Sequence, residues 1–192
     1  MSRSGEGVVT TRRLLDRSMV RGRYSDGLVR EIDVHIENST ANVFRILAEI
    51  AVMEGAVGAR QQGTKPAEMF RGAWLRGLYH KHYTQAAFMP WNLKLHWSRK
   101  RLDALIRASS RGGPFFDEEA VRELAAGFVH GGYLGRKDEG KLTGEWIVFA
   151  VHGGTNYYLT LGRHGEDEAI WYRAKACAAE FPELKILNEE FR

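Results

Sequence analysis

Two apolar runs near the C-terminus constrain the fold of this chain most strongly. Glu145–His152 reads EWIVFAVH and Tyr157–Leu161 reads YYLTL, and both are rich in the β-branched and aromatic residues that favour strands. The residues between them, Gly153–Asn156, read GGTN, a composition typical of a hairpin loop. The sequence therefore predicts an antiparallel β-hairpin with a four-residue loop.

The N-terminal half of the chain is predicted to be largely helical. From Val29 to Met53, apolar residues recur at intervals of three and four, which predicts one long helix over Leu28–Gly55 with a single buried seam. The stretch Arg30–Glu37 also alternates between polar and apolar residues, so an edge strand is an open alternative there. Further helices are predicted over residues 11–20, 64–87, 91–109, 117–131 and 166–180, with a polar loop over 133–144 and a possible third strand over 184–187.

This order of elements indicates an α+β protein. A helical N-terminal part is followed by a small antiparallel sheet, made of the hairpin, a helix and the possible third strand. A length of 192 residues fits one domain or two small ones. Arg111–Pro114 (RGGP) is the clearest linker, and it separates a basic helical region, residues 1–111, from a small α+β region, residues 115–192. The two regions either stand apart or pack as one domain.

Positive charge is concentrated in one part of the chain. The segment Lys65–Arg111 holds ten Lys or Arg and two acids, so its net charge is +8, whereas the whole chain carries +4. Such asymmetry is typical of proteins that bind an acidic partner, and phosphate is the commonest one. We therefore expect a nucleic-acid partner, with RNA favoured.

Lys94, Trp97 and Arg101 are spaced three and four apart, so they share one face of the predicted helix over 91–109. A tryptophan between two cations can stack on a base while its neighbours hold phosphates. The alternative is that Trp97 packs against the preceding helix and the cations extend around it. The predicted nucleic-acid contacts are Arg71, Arg76, Lys81, Lys94, Trp97, Lys100 and Arg101.

Three residues are predicted to be catalytic: His152, Tyr157 and His82. A histidine with a tyrosine and an arginine is sufficient for RNA cleavage without a metal ion, because a base removes the 2′-hydroxyl proton and cations stabilise the charged phosphorane. His152 ends the first hairpin strand, next to Tyr157. The alternative for these residues is a structural role, and for His82 in particular that of a partly buried, hydrogen-bonded histidine.

The other histidines set limits on this site. His80 and His82 are two residues apart, so on the predicted helix their rings would point to opposite sides and could not share a metal. His164 lies at the opposite end of the hairpin from His152, roughly 15–20 Å away at strand rise. The two cannot form a direct pair, although either could meet His80, His82 or His96 across the fold.

Several function classes are disfavoured by what the sequence lacks. Cys177 is the only cysteine, which excludes an internal disulfide and a thiolate zinc site and suits a reducing compartment. No apolar stretch is long enough to cross a membrane, and the start lacks the apolar region of a signal peptide. We therefore expect a cytoplasmic protein without a metal site or cofactor.

Two hypotheses for the function follow from these patterns. The first is a nucleic-acid-binding protein, whose sharpest form is a metal-independent ribonuclease of the toxin type. The second is a non-catalytic interaction or assembly component that uses the basic face and the heptad-like helix over Leu28–Gly55, with a protein partner or a second copy of the chain.

Overall fold

A computed structural model describes residues 4–85, 89–109, 118–142 and 144–188. Its fold is α+β, as the sequence predicts. The α-helices are α1 (Ser4–Ser18), α2 (Asp26–Asn38), α3 (Val43–Glu54), α4 (Met89–His96), α5 (Arg99–Ser109), α6 (Glu118–Ala126), α7 (Gly132–Asp138) and α8 (Asp167–Lys175). The strands are β1 (Arg23–Tyr24), β2 (Glu68–Met69), β3 (Tyr79–Tyr83), β4 (Glu145–His152) and β5 (Thr155–Gly162). A π-helical turn, Gly127–Gly131, joins α6 to α7, and two 3₁₀ turns, Ala176–Ala179 and Lys185–Asn188, follow α8.

The strands form one mixed sheet in the order β1-β5-β4-β3-β2. Strand β1 is parallel to β5, and the other neighbours are antiparallel. The predicted hairpin is confirmed, although its loop is only Gly153-Gly154, because Thr155 pairs with His152 and so belongs to β5. Both glycines have positive φ, 56° and 76°, a conformation that two-residue hairpin turns require and that glycine adopts most readily.

Helices cover both faces of the sheet. Because side chains alternate along a strand, Ile147 of β4 points to the layer made by α1, α2 and α3, and Val148 points to the layer made by α8 and the turns after it. Both residues are fully buried. The sheet contains strands from both of the regions that the Arg111–Pro114 linker separates, and that linker lies outside the described residues, as does Asp117.

The predicted helix over 28–55 is in fact two helices. The Ser25 hydroxyl accepts the Leu28 N–H at 2.9 Å and so caps α2 at its start. Helix α2 ends at Ser39, which has a left-handed φ of 51°. Residues of the predicted seam, such as Ile46, are fully buried against the sheet, but Ile36 at the break is 46% exposed. The edge-strand alternative for 30–37 is therefore wrong, and the seam packs inside the fold.

The predicted helix over 64–87 is wrong. This part of the chain forms β2 and β3, and β3 pairs with β4 at five consecutive positions. Strand pairing with a distant segment overrides the local helical pattern, because both faces of β3 are covered by other parts of the fold. The segment over 184–187 is also not a strand, since Lys185–Asn188 is a 3₁₀ turn.

The described residues 89–109 and 118–138, here called the helical arm, also depart from prediction. The predicted helix over 91–109 is interrupted between α4 and α5, and the predicted polar loop over 133–144 begins with α7. Gly132, directly after the predicted helix over 117–131, allows close packing. A Cβ at Gly132 would lie 2.5 Å from Nε1 of Trp97, so any larger residue would force the indole or the backbone to shift.

Candidate functional site

Three neighbouring strands end together at one end of the sheet. Strand β3 ends at Tyr83, β4 begins at its register partner Glu145, and β5 ends at Gly162, opposite Trp146. A pocket of about 180 Å³ lies at these strand ends and is lined by residues of α2, β3, β4, β5 and α8. We call it the strand-end pocket.

One side of the strand-end pocket is a hydrogen-bonded chain of three side chains. The Tyr83 hydroxyl donates to Oε2 of Glu145 at 2.7 Å, and Nε of Arg163 lies 3.0 Å from Oε1 of the same carboxylate. Burial, together with the charge of Glu145, raises the pKa of Tyr83, so its hydroxyl stays protonated and donates. The Arg163 side chain is 60% exposed, which leaves its guanidinium accessible at the mouth of the pocket.

The opposite wall is the ion pair between Glu31 and Arg173, whose atoms approach to 3.1 Å. Strand β1 pairs with β5 only at Tyr157 and Tyr158, so the outer side of β5 at Leu161, away from β4, has no strand beside it. Instead, the Leu161 N–H donates to Glu31 at 2.6 Å and Arg173 donates to the Leu161 carbonyl at 3.0 Å. These two side chains take the place of a further strand and cover the sheet edge. Burial raises the pKa of Glu31, although the hydrogen bonds that its carboxylate accepts act in the opposite direction.

His35 of α2 also lines the strand-end pocket. Its Nδ1 lies 2.7 Å from the Thr40 hydroxyl, which fixes the ring. Burial lowers the pKa of His35, although the charge of Glu145 opposes this effect. The imidazole is therefore neutral at neutral pH and able to accept a proton.

On the other face of the same strand ends lies a histidine cluster, made of His80, His82, His164 and Trp146. Ring centroids are separated by 5.3 Å between His80 and His82 and by 5.7 Å between His82 and His164. The expectation that His80 and His82 diverge was wrong because they lie on a strand, where residues two apart share a face. No group of three or more histidine, cysteine or acidic side chains in the described part of the chain is arranged to hold a metal ion.

His82 is a packed residue within this cluster. It is 3% exposed, and its Nδ1 lies 3.0 Å from the Gly144 carbonyl oxygen. Burial lowers the pKa of His82 to about 3, so the ring is neutral at neutral pH. This arrangement corresponds to the structural alternative: a buried histidine that positions the chain before β4.

The structure does not bring the three predicted catalytic residues together. His152 and Tyr157 are close at the hairpin tip, with ring centroids 6.5 Å apart. Tyr157 is buried against Phe181, with ring centroids 5.2 Å apart. The register partner of His82 is Trp146, six residues before His152 on β4, which corresponds to about 20 Å along the strand.

The basic residues predicted to contact nucleic acid fall into an exposed group and a buried group. Exposed side chains among them are Arg71, Arg76, Lys94, Lys100 and Arg101. Lys81 is buried, with its ammonium donating to the Thr64 hydroxyl at 2.7 Å and lying 3.4 Å from Glu49. That ammonium is used inside the fold, so we do not include Lys81 in the binding surface.

Trp97 lies in the break between α4 and α5 rather than on a helix face. Its ring stacks on Phe128 at 5.5 Å, and its Nε1 donates to the Phe128 carbonyl at 2.9 Å. Arg101 donates to the His96 carbonyl at 3.0 Å. Lys94 and Arg101 are on different helices, so the predicted shared face does not exist, and Trp97 packs within the helical arm.

Comparisons with known proteins do not identify this chain. No protein-family model matches it, and neither the curated proteins nor the solved structures show a significant similarity to it. Among the described helices, none combines the length and the apolar character needed to cross a membrane.

Proposed function

We propose that this protein binds RNA and cleaves its phosphodiester bonds without a metal ion, in the strand-end pocket. One observation carries the proposal: the imidazole of His35 lines the same pocket of about 180 Å³ as the partly exposed guanidinium of Arg163. Burial keeps the imidazole neutral, so it is free to accept a proton. A base and a cation that meet in a small polar pocket are what phosphodiester cleavage by the neighbouring 2′-hydroxyl needs.

In the proposed reaction, His35 accepts the proton of the 2′-hydroxyl. The 2′-oxygen bonds to phosphorus, the bond from phosphorus to the 5′-oxygen breaks, and the departing 5′-oxygen takes a proton from water at the open mouth of the pocket. Arg163, with Arg173 behind it, stabilises the charge on the phosphorane. The products are a 2′,3′-cyclic phosphate and a free 5′-hydroxyl, and no oxidant, metal or cofactor is consumed.

RNA binding is proposed to extend over the exposed basic residues. Arg71 and Arg76 precede β3, and Lys100 lies on the helical arm. Each phosphate contact releases counterions, so affinity should fall steeply as salt rises. Replacing one contacting cation should reduce the slope of log K against log salt by about one unit.

The decisive variants are His35→Gln and Arg163→Met, with His152→Gln as the matched histidine. We expect His35→Gln to reduce RNA cleavage by about 10²–10⁴-fold, because it removes the base, while RNA binding and thermal unfolding stay close to wild type. His152→Gln should cleave normally. The reverse pattern, with activity lost only in His152→Gln, would transfer the chemistry to the hairpin tip.

A second candidate function is that of a non-catalytic interaction component. The observation that favours it is a set of exposed apolar side chains on the helical arm, among them Leu95 at 48%, Val121 at 50% and Leu134 at 44% exposure. Such residues mark contact surfaces when they lie together. The seam of α2 and α3 packs inside the fold, so it is not the contact surface of this second candidate function. Absence of cleavage of any RNA by the wild-type chain would favour this function.

A further inference from the structure

A second cavity adjoins the strand-end pocket. It has a volume of about 260 Å³ and lies between α2 and the end of α8, and Glu31 and Arg173 line both cavities. Their ion pair is therefore the partition between the two. We call the second cavity the α2–α8 pocket. Two small cavities that share one wall can hold two linked groups of a single ligand.

The polar groups of the α2–α8 pocket have complementary charges. Arg30 of α2 contributes an exposed guanidinium, and Glu180, after the first 3₁₀ turn, contributes a carboxylate. One oxygen of that carboxylate, Oε2, accepts the Asp26 N–H at 2.7 Å, which fixes the side chain in place. The lining also includes Leu159, Ala176 and Cys177. The cavity thus combines a donor fork, an acceptor pair and an apolar lining.

Guanine is the nucleobase that best fits this combination. Its N7 and O6 accept bidentate hydrogen bonds from a guanidinium, and its N1–H and N2–H₂ groups donate to a carboxylate. Adenine places an amino group where guanine has O6, so it would point a donor at Arg30. The flat base would lie against the apolar lining.

We propose that the α2–α8 pocket binds the guanine base of the nucleotide whose 3′-phosphate lies in the strand-end pocket. This inference rests on the proposed ribonuclease function and specifies its substrate as RNA cleaved after guanosine. Arg30 and Glu180 are then the specificity-determining residues. The Glu31–Arg173 pair separates the base from the reacting phosphate.

Direct titration measures occupancy of the α2–α8 pocket, because Cys177 in its lining is only 2% exposed and is too buried for chemical labelling. The experiment measures the dissociation constants of guanosine 3′-monophosphate and adenosine 3′-monophosphate by isothermal titration calorimetry. We expect guanosine 3′-monophosphate to bind, and adenosine 3′-monophosphate to bind roughly tenfold more weakly or worse. Equal affinity for both nucleotides, or binding of neither, would overturn the proposal.

Two variants test the residues. Glu180→Gln keeps an acceptor for the Asp26 N–H, so the fold is retained, but it places an amide where the carboxylate accepted guanine donors. Glu180→Gln and Arg30→Met should each raise the dissociation constant of guanosine 3′-monophosphate by roughly tenfold. Arg99→Met, at an exposed arginine of the helical arm, is the matched control and should leave it unchanged. Thermal unfolding confirms that each variant is folded, and unchanged affinity in both pocket variants would contradict the assignment.

The outcomes separate this inference from the proposed function. Guanosine-specific nucleotide binding without any RNA cleavage would support the α2–α8 pocket and refute the ribonuclease. RNA cleavage that shows no preference for guanosine, with no binding of guanosine 3′-monophosphate, would refute the guanine pocket and leave the ribonuclease standing.

Discussion

Replacing Lys81 with methionine should destabilise the fold strongly rather than weaken RNA binding. The Lys81 and Glu49 side chains are 5% and 1% exposed, and they join β3 to α3 beneath the sheet. Methionine keeps most of the length of the side chain and removes the ammonium. The Glu49 carboxylate would then be buried beside the Thr64 hydroxyl, 2.7 Å away, with no ammonium in contact with it.

The size of the loss follows from this burial. Breaking a buried ion pair by removing one partner costs about 3–5 kcal/mol, because an uncompensated charge remains inside. For a chain of this length each kcal/mol lowers the unfolding midpoint by about 2–4 °C, so Lys81→Met should unfold roughly 6–20 °C below wild type. Burial already raises the pKa of Glu49 against the effect of Lys81, so the carboxylate would take up a proton more readily in the variant.

Thermal unfolding followed by circular dichroism measures this loss, and a double variant identifies its source. Lys81→Met with Glu49→Met removes both charges and should recover most of the midpoint, since apolar replacement of a buried pair is often neutral. Lys100→Met, at an exposed lysine, should stay within about 0.5 kcal/mol of wild type. A midpoint for Lys81→Met within about 2 °C of wild type, or a reduced salt dependence of RNA binding in the folded variant, would refute this account.

Other substitutions test further parts of the structure. Glu54 accepts hydrogen bonds from the backbone N–H groups of residues 20–22 and from the Tyr158 hydroxyl, so Glu54→Gln should lower the free energy of unfolding in urea by about 2–4 kcal/mol. Burial alone would raise the pKa of Glu54, but the hydrogen bonds that its carboxylate accepts have the larger combined effect and lower the pKa. The stability that these bonds contribute is therefore present above the ordinary carboxyl pKa of about 4.3 and is lost as the pH falls below that value. The gap between wild type and Glu54→Gln should narrow on acidification, and a constant gap would contradict this. Gly132→Ala should cost about 1–3 kcal/mol and change the fluorescence of Trp97, because its Cβ would meet the indole at 2.5 Å.

Local patterns in the sequence predicted the parts of the fold that depend on neighbours in the chain. The hairpin of β4 and β5 was predictable because its two strands and turn are contiguous. The buried residues of α2 and α3 were predictable from their spacing, even though the break at Ser39 was not. In contrast, β3 reads as a helix locally and becomes a strand only because it pairs with β4, more than 60 residues later.

The strand-end pocket could not be predicted for a related reason. Its residues come from α2, β3, β4, β5 and α8, and the sequence holds no motif that connects them. Arg163 directly follows the second hairpin strand and His35 lies within the alternating stretch Arg30–Glu37, and neither position carries a local signal of chemistry. Their meeting depends on how α2 and α8 pack on opposite faces of the sheet. The two histidines predicted as catalytic lie instead at the hairpin tip and inside a packed cluster.

The pH dependence of RNA cleavage tests the central claim most directly. If His35 is the base, kcat/KM should rise with pH along a single ionisation and then reach a plateau, because the imidazole acts only when neutral. Burial lowers the pKa of His35, so the midpoint should lie below the ordinary value of about 6.5. The account predicts this profile in the presence of EDTA, and its loss in His35→Gln. No cleavage by the wild-type chain, or the same profile in His35→Gln, would contradict it.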